Sequence, residues 1–133
     1  MNNKLLTMLA AVLFVAAVPA MAHHSFSAEF DRNKPVELNG TVIKMEWVNP
    51  HSWLHIAVVN AAGETEEWAI EGGSPAVLLR LGWTKESLLP GTKVLVKGSQ
   101  AKDGALRASS SSIEFPDGRT LETGGSGQRE GRD

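Results

Sequence analysis

The chain of 133 residues contains no cysteine. That excludes disulfides, thiolate nucleophiles and cysteine-ligated zinc or iron–sulfur centres. It also lacks a charge excess, with 13 basic and 15 acidic side chains, which argues against a general nucleic-acid binder. A second domain is excluded by length. No serine sits in a nucleophile elbow. No phosphate loop is present either, because Gly72-Gly73 opens a helix signal without the rest of that pattern. Glu46, Glu66, Glu67 and Glu71 are numerous, but nothing in the sequence fixes the separation a hydrolytic carboxylate pair needs. The expectation is therefore a protein that is not an enzyme. What remains for chemistry is four histidines, the side chains suited to borderline metals and proton transfer.

An apolar run long enough to span a bilayer is also missing. Leu5 to Val18 is 14 residues, broken only by Thr7, against the ~20 a membrane helix needs. Lys4 precedes it, and Pro19 followed by Ala20-Met21-Ala22 supplies a small-x-small cleavage site. Residues 1–22 thus read as a secretory signal peptide and the address as the periplasm. Removing those 22 of 133 residues leaves 111, beginning at His23 with a net charge of −3. No insertion into the membrane is expected after cleavage. Charge is uneven along the mature chain: residues 23–73 net −5, residues 74–107 net +4 and residues 108–133 net −2. Such a split usually means a solvated surface, with steering of a charged ligand as the sharper reading.

Periodicity then sets the organisation. Residues 23–35 form a lead-in that Phe26 and Phe30 tack onto the body. Val36, Leu38 and Val42 alternate with Glu37, Asn39 and Thr41, which is strand period. Ile43, Met45 and Trp47 continue on the opposite parity, so a bulge is expected within the strand, at Gly40. Asn49-Pro50 marks a turn, and His51–Asn60 and Glu64–Glu71 read as the second and third strands, with Trp68 and Ile70 inward. Ser74 caps and Pro75 starts a short helix to about residue 81. Thr92–Gln100 and Ala105–Phe115 complete five strands. The barrel spans residues 36–122, and residues 123–133, without an apolar side chain, read as a disordered polar tail. The order strand, strand, strand, helix, strand, strand fits an all-β fold with one short helix, the five-stranded Greek-key barrel called the OB-fold. A β-sandwich is the alternative, but it usually needs about seven strands.

The histidines divide into two pairs. Cleavage after Ala22 gives His23 a free α-amino group beside its imidazole, a chelate of the histidine-brace kind. A further nitrogen from His24 or His51 then completes a tetragonal site of the sort Cu(II) prefers. Cleavage one residue earlier places His24 third from the terminus, which is also a copper chelate. The plain alternative is two polar residues that follow a cleavage site and bind nothing. His51 and His55 are four apart, but in a strand context, so they stand about 13 Å apart and do not easily share one ion unless the strand bends. His51, at the strand start, is the metal candidate. His55 fits a hydrogen-bonded structural role or a ligand-binding strip with Trp53 and Trp47, where an exposed indole can stack on a base or a sugar.

The segments AHHSFSAEFD, GTV, EWVNPHSWLHI, WAIEGGSP, LLRLGW, LLPG, AKDG and FPDGR together resemble a family of small exported bacterial proteins, catalogued as domain of unknown function 6152. The resemblance spans residues 22 to about 120. It implies an exported OB-like barrel and no particular reaction. It directs attention to His23-His24, to Asn49-Pro50-His51 with Trp47, and to the helix start at Ser74-Pro75. Two functional readings follow. One is a periplasmic protein that holds Cu(II) through His23, His24 and His51, and buffers it or delivers it to another periplasmic protein. The other is a metal-free module whose Trp47, Trp53 and His55 face a small ligand or partner.

Overall fold

The computed structural model describes residues 26–129. The candidate leader, His23, His24 and residues 130–133 lie outside the described residues. In chain order the elements are α1 (Phe26–Glu29), β1 (Phe30–Glu46), β2 (Trp53–Val59), β3 (Thr65–Glu71), α2 (Pro75–Arg80), β4 (Lys93–Ala101), β5 (Arg107–Glu114), β6 (Thr120–Glu122) and α3 (Ser126–Arg129). They form one sheet in the order β3-β2-β1-β4-β5-β6. A parallel pairing of β3 with β5 joins the sheet back on itself through Ala69–Arg107, Ile70–Ala108 and Glu71–Ser109. The other pairings are antiparallel. The fold is all-β with a short helix between β3 and β4. Its ring is irregular, because those three residue pairs alone close it.

Alternation places the core inside this ring. Val42 from β1, Leu54 and Ile56 from β2, Trp68 and Ile70 from β3, Val94 and Val96 from β4, and Ile113 from β5 are all buried. Each aliphatic side chain of this size stabilises the fold by roughly 1.5–3 kcal/mol when fully buried. Leu78 of α2 is 0 % exposed and packs into the main core. Its helix begins where the sequence says it does. Ser74 Oγ accepts the Val77 N–H at 3.3 Å, and Pro75 fills the first turn, where an N–H has no intrahelical partner.

Three expectations need correction. The bulge in β1 falls at Ile43, not Gly40: Val42 pairs with Ile56 and Lys44 with His55, which leaves Ile43 as the extra residue. Gly40 has a different task. A Cβ there would lie 2.8 Å from Ile56 Cδ1, so its lack of a side chain admits the Ile56 branch. Second, β1 starts at Phe30 rather than Val36. Phe26, Phe30 and Ala101 form a second small core against Trp53 and Ala105, and this pins the lead-in to β4. The Arg32 guanidinium lies 4.5 Å from the centre of the Phe26 ring on the outside.

Third, the polar segment after residue 122 is packed. Thr123 and Ser126 are buried. The Gly73 N–H donates to Thr123 O at 2.7 Å, and the Thr123 N–H to Ser111 O at 2.9 Å. Composition alone misses this because backbone, not apolar side chain, is what is buried. A Cβ on Gly125 would lie 3.0 Å from Ser110 O and 3.1 Å from Glu71 O, so only a glycine fits without displacing a strand. Among the described residues, no helix is long and apolar enough to cross a membrane.

Candidate functional site

The site lies where the β1–β2 turn meets the end of β3. The turn contains a cis Asn49–Pro50 peptide. Beyond it the chain rejoins the sheet: the Ser52 N–H donates to Gly73 O at 2.9 Å and the Gly72 N–H to Ser52 O at 2.9 Å. These bonds set His51 against the last residue of β3. The result is a cavity of about 210 Å³ lined by Phe30, Val48, Pro50 and Trp53 on its apolar side. Glu29, Asn49, His51, Glu71 and Ser126 supply its polar groups.

Glu71 is the unusual member. It is 3 % exposed, yet it carries a carboxylate. Burying that group is costly unless its oxygens are hydrogen-bonded. They are: Oε1 accepts the Ser126 N–H at 2.8 Å, and Oε2 accepts the Ser126 hydroxyl at 3.0 Å. His51 Nδ1 lies 3.2 Å from Glu71 Oε1 and 3.3 Å from Gly72 O. His51 keeps 23 % of its side chain exposed, and among the described residues nothing bonds its Nε2.

His55 has a different environment. Its Nδ1 lies 2.9 Å from Glu67 Oε1 and its Nε2 3.0 Å from Glu46 Oε2. Both ring nitrogens are therefore engaged. The Glu46 carboxyl is held below its ordinary range, first by a hydrogen bond from Lys44 and then by one from His55. This cluster ties β1, β2 and β3 together on the outer face of the sheet.

The tryptophans do not form one strip. Trp47 packs against the main core, and its ring meets Trp83 edge-on with centroids 6.4 Å apart. Trp83 is buried, and its indole N–H donates to Glu122 O at 2.7 Å. Trp53 lies under the Phe26–Phe30 cluster and forms part of the cavity wall. Trp53, His51 and the cavity thus come together, whereas Trp47 and His55 each face elsewhere. Sequence reasoning missed Glu71 and Ser126. The available signal was an acid between an inward isoleucine and a glycine pair.

Among the described residues no group of three or more His, Asp or Glu side chains stands ready to hold a metal ion. His51 and Glu71 make a pair. A second, larger groove of about 560 Å³ opens at the far end of β2, lined by Gly40, Thr41, Val59, Lys93, Glu114 and Phe115 among others. It contains no histidine, and its Lys93 ammonium donates to Thr41 Oγ1 at 2.7 Å.

These features define a class: a small all-β domain with a histidine–glutamate pair in a cavity at one end of its sheet. The chain belongs to a family of unknown function, DUF6152, whose profile matches residues 11–110. No curated protein and no solved structure gives a significant match.

Proposed function

We propose that this is a periplasmic, non-catalytic binding protein that holds a Cu(II) ion at its mature N-terminus. His23 supplies its α-amine and imidazole after cleavage of residues 1–22. His51 or His24 supplies a further nitrogen. Nitrogen ligands in a tetragonal array suit Cu(II), and the lack of cysteine removes the thiolate sets that favour zinc or Cu(I). The protein then buffers the ion or passes it to another periplasmic protein.

One observation carries this reading: the chain enters the fold beside His51. Phe26 is buried against the C-terminal segment, where a Cβ on Gly127 would lie 2.9 Å from its ring. The neighbouring Ser126 bonds Glu71, which in turn meets His51. His23 is three residues before Phe26, a reach of about 10 Å for extended chain. A terminal amine and imidazole on that tether are the ligands proposed to join His51 Nε2, which nothing bonds among the described residues. One imidazole in the cavity is too few ligands for an ion by itself, and in this reading the terminus supplies the rest.

Two measurements test it. Mass spectrometry of the exported protein must give a chain beginning at His23. Cu(II) titration of that chain is expected to show one tight site, while acetylation of the His23 α-amine weakens it about 100-fold or more. That loss is set against the 10–100-fold cost of changing even an outer-shell group. Equal, weak binding by both chains refutes the copper reading.

A further inference from the structure

We propose that Glu71 is the positioning residue of this site: it fixes His51 in the tautomer with the proton on Nδ1, and the segment 123–126 holds Glu71 in place. The inference deepens the copper reading and, for its metal-binding consequence, rests on it. The tautomer itself does not.

The geometry leaves His51 little choice. Its Nδ1 faces two atoms that only accept, Glu71 Oε1 at 3.2 Å and Gly72 O at 3.3 Å. A lone pair on Nδ1 would oppose both oxygens, so Nδ1 carries the proton and donates. In a neutral imidazole the lone pair then belongs to Nε2, which nothing bonds among the described residues. The ring lines the cavity. This is the arrangement that carboxylates give to metal-binding histidines, where the outer acceptor fixes the ring and raises the basicity of the ligating nitrogen.

Glu71 is itself too well satisfied to serve as a ligand. Ser126 gives it two donors, one from the backbone and one from the hydroxyl. His51 Nδ1 stands 3.2 Å from Oε1, within ion-pair distance, while its hydrogen bond goes to Gly72 O. Ser126 lies 55 residues from Glu71 in sequence. It reaches it because Thr123 is bonded to both Gly73 and Ser111, which seats this segment beside the end of β3. A buried carboxylate with donors drawn from residue 126 and the residue 51 imidazole beside it is an expensive way to fill space. Its effect is to orient one imidazole.

The test uses the mature chain from His23, first without metal at fixed neutral pH. Long-range ¹H–¹⁵N correlations of the His51 ring are expected to show a protonated Nδ1 and an unprotonated Nε2. The opposite tautomer overturns the proposal whether or not copper binds. In Glu71→Gln that preference weakens, and Cu(II) affinity is expected to fall about 10–100-fold. Ser126→Ala, which keeps the backbone donor, changes both in the same direction by less. If Glu71→Gln leaves the tautomer and the affinity unchanged while His51→Ala abolishes tight binding, the copper reading stands and the role of Glu71 is refuted. If Glu71→Gln does not fold, Ser126→Ala carries the comparison, and an unchanged tautomer preference and affinity in that variant refutes the role of the segment and of Glu71. If the wild type binds no copper but shows the Nδ1–H form that Glu71→Gln loses, the positioning role stands alone.

Discussion

Gly73→Ala is expected to destabilise the protein by about 2–3 kcal/mol, and the reason lies in three distances. A Cβ at this position would meet Val77 Cγ1 at 2.6 Å, Val77 Cβ at 2.9 Å and Gly124 O at 3.1 Å. Carbon atoms rest at about 3.5–4.0 Å, so the alanine methyl needs a displacement of roughly 1 Å. Rotation of Val77 moves Cγ1 but not Cβ, which the α2 backbone holds, and a β-branched residue in a helix has one strongly preferred rotamer. Helix α2 must therefore shift. Overpacking of this kind typically costs about 1–3 kcal/mol. At 4–8 °C per kcal/mol for a domain near 100 residues, Tm falls by roughly 10–20 °C. Urea unfolding followed by tryptophan fluorescence measures this. Gly63→Ala is the control: its φ is +80° with nothing within 4 Å, so its cost is backbone strain alone, about 1–2 kcal/mol. Val77→Ala removes the closest contact, so Gly73→Ala/Val77→Ala should be less destabilised than the sum of the single variants, by about 0.5 kcal/mol or more. A Gly73→Ala protein within about 0.5 kcal/mol of wild type, or strict additivity with Val77→Ala, refutes the steric argument.

Trp83→Phe removes the indole N–H that Glu122 O accepts at 2.7 Å. The expected loss is about 0.5–1.5 kcal/mol, read from the urea midpoint at unchanged m-value. Glu46 sets an acid limit. Its folded value lies below the ordinary 4.5 because Lys44 and then His55 bond the carboxylate. The stabilisation is therefore complete above 4.5 and is lost as pH falls through the folded value. Stability curves of wild type and Glu46→Gln should converge in that range and separate above it. Curves that stay parallel from neutral pH into acid show that the cluster contributes nothing.

Most of the sheet was legible because its strands follow rules of period. Leu54, Ile56 and Val58 point inward, and Ser74-Pro75 starts a helix, as local chemistry demands. The bulge was legible as a change of parity but not as a position. Two residues on the same strand had reasons to be special, and only packing separates them: Gly40 makes room for Ile56, while Ile43 is the residue without a partner on β2. The start of β1 was missed for a related reason. Asp31, Arg32, Asn33 and Lys34 look like loop, yet Phe30 at their head pairs with Ala101 and holds them in the strand. A single buried aromatic outweighs four polar residues because polar side chains on a solvent-facing edge cost a strand little.

The site was half legible, and the missing half has a common physical cause. His51 stood out by residue type, and Trp53 by its place in the same segment. Glu71 did not, since an acid near a turn is ordinarily solvated. Its burial is set by backbone rather than by side chains. Gly72-Gly73 and Gly124-Gly125 lie against each other: Gly73 donates to Thr123 O, and a Cβ on Gly124 would come within 3.8 Å of Gly73 Cα. Two glycine pairs distant in sequence allow two main chains to approach where any side chain would part them. Ser126 follows the second pair and arrives at the Glu71 carboxylate. The contact that seats the C-terminal segment is thus the one that orients His51. Substitutions at Gly73 or Gly124 should disturb stability and the His51 ring together, although neither residue touches the imidazole.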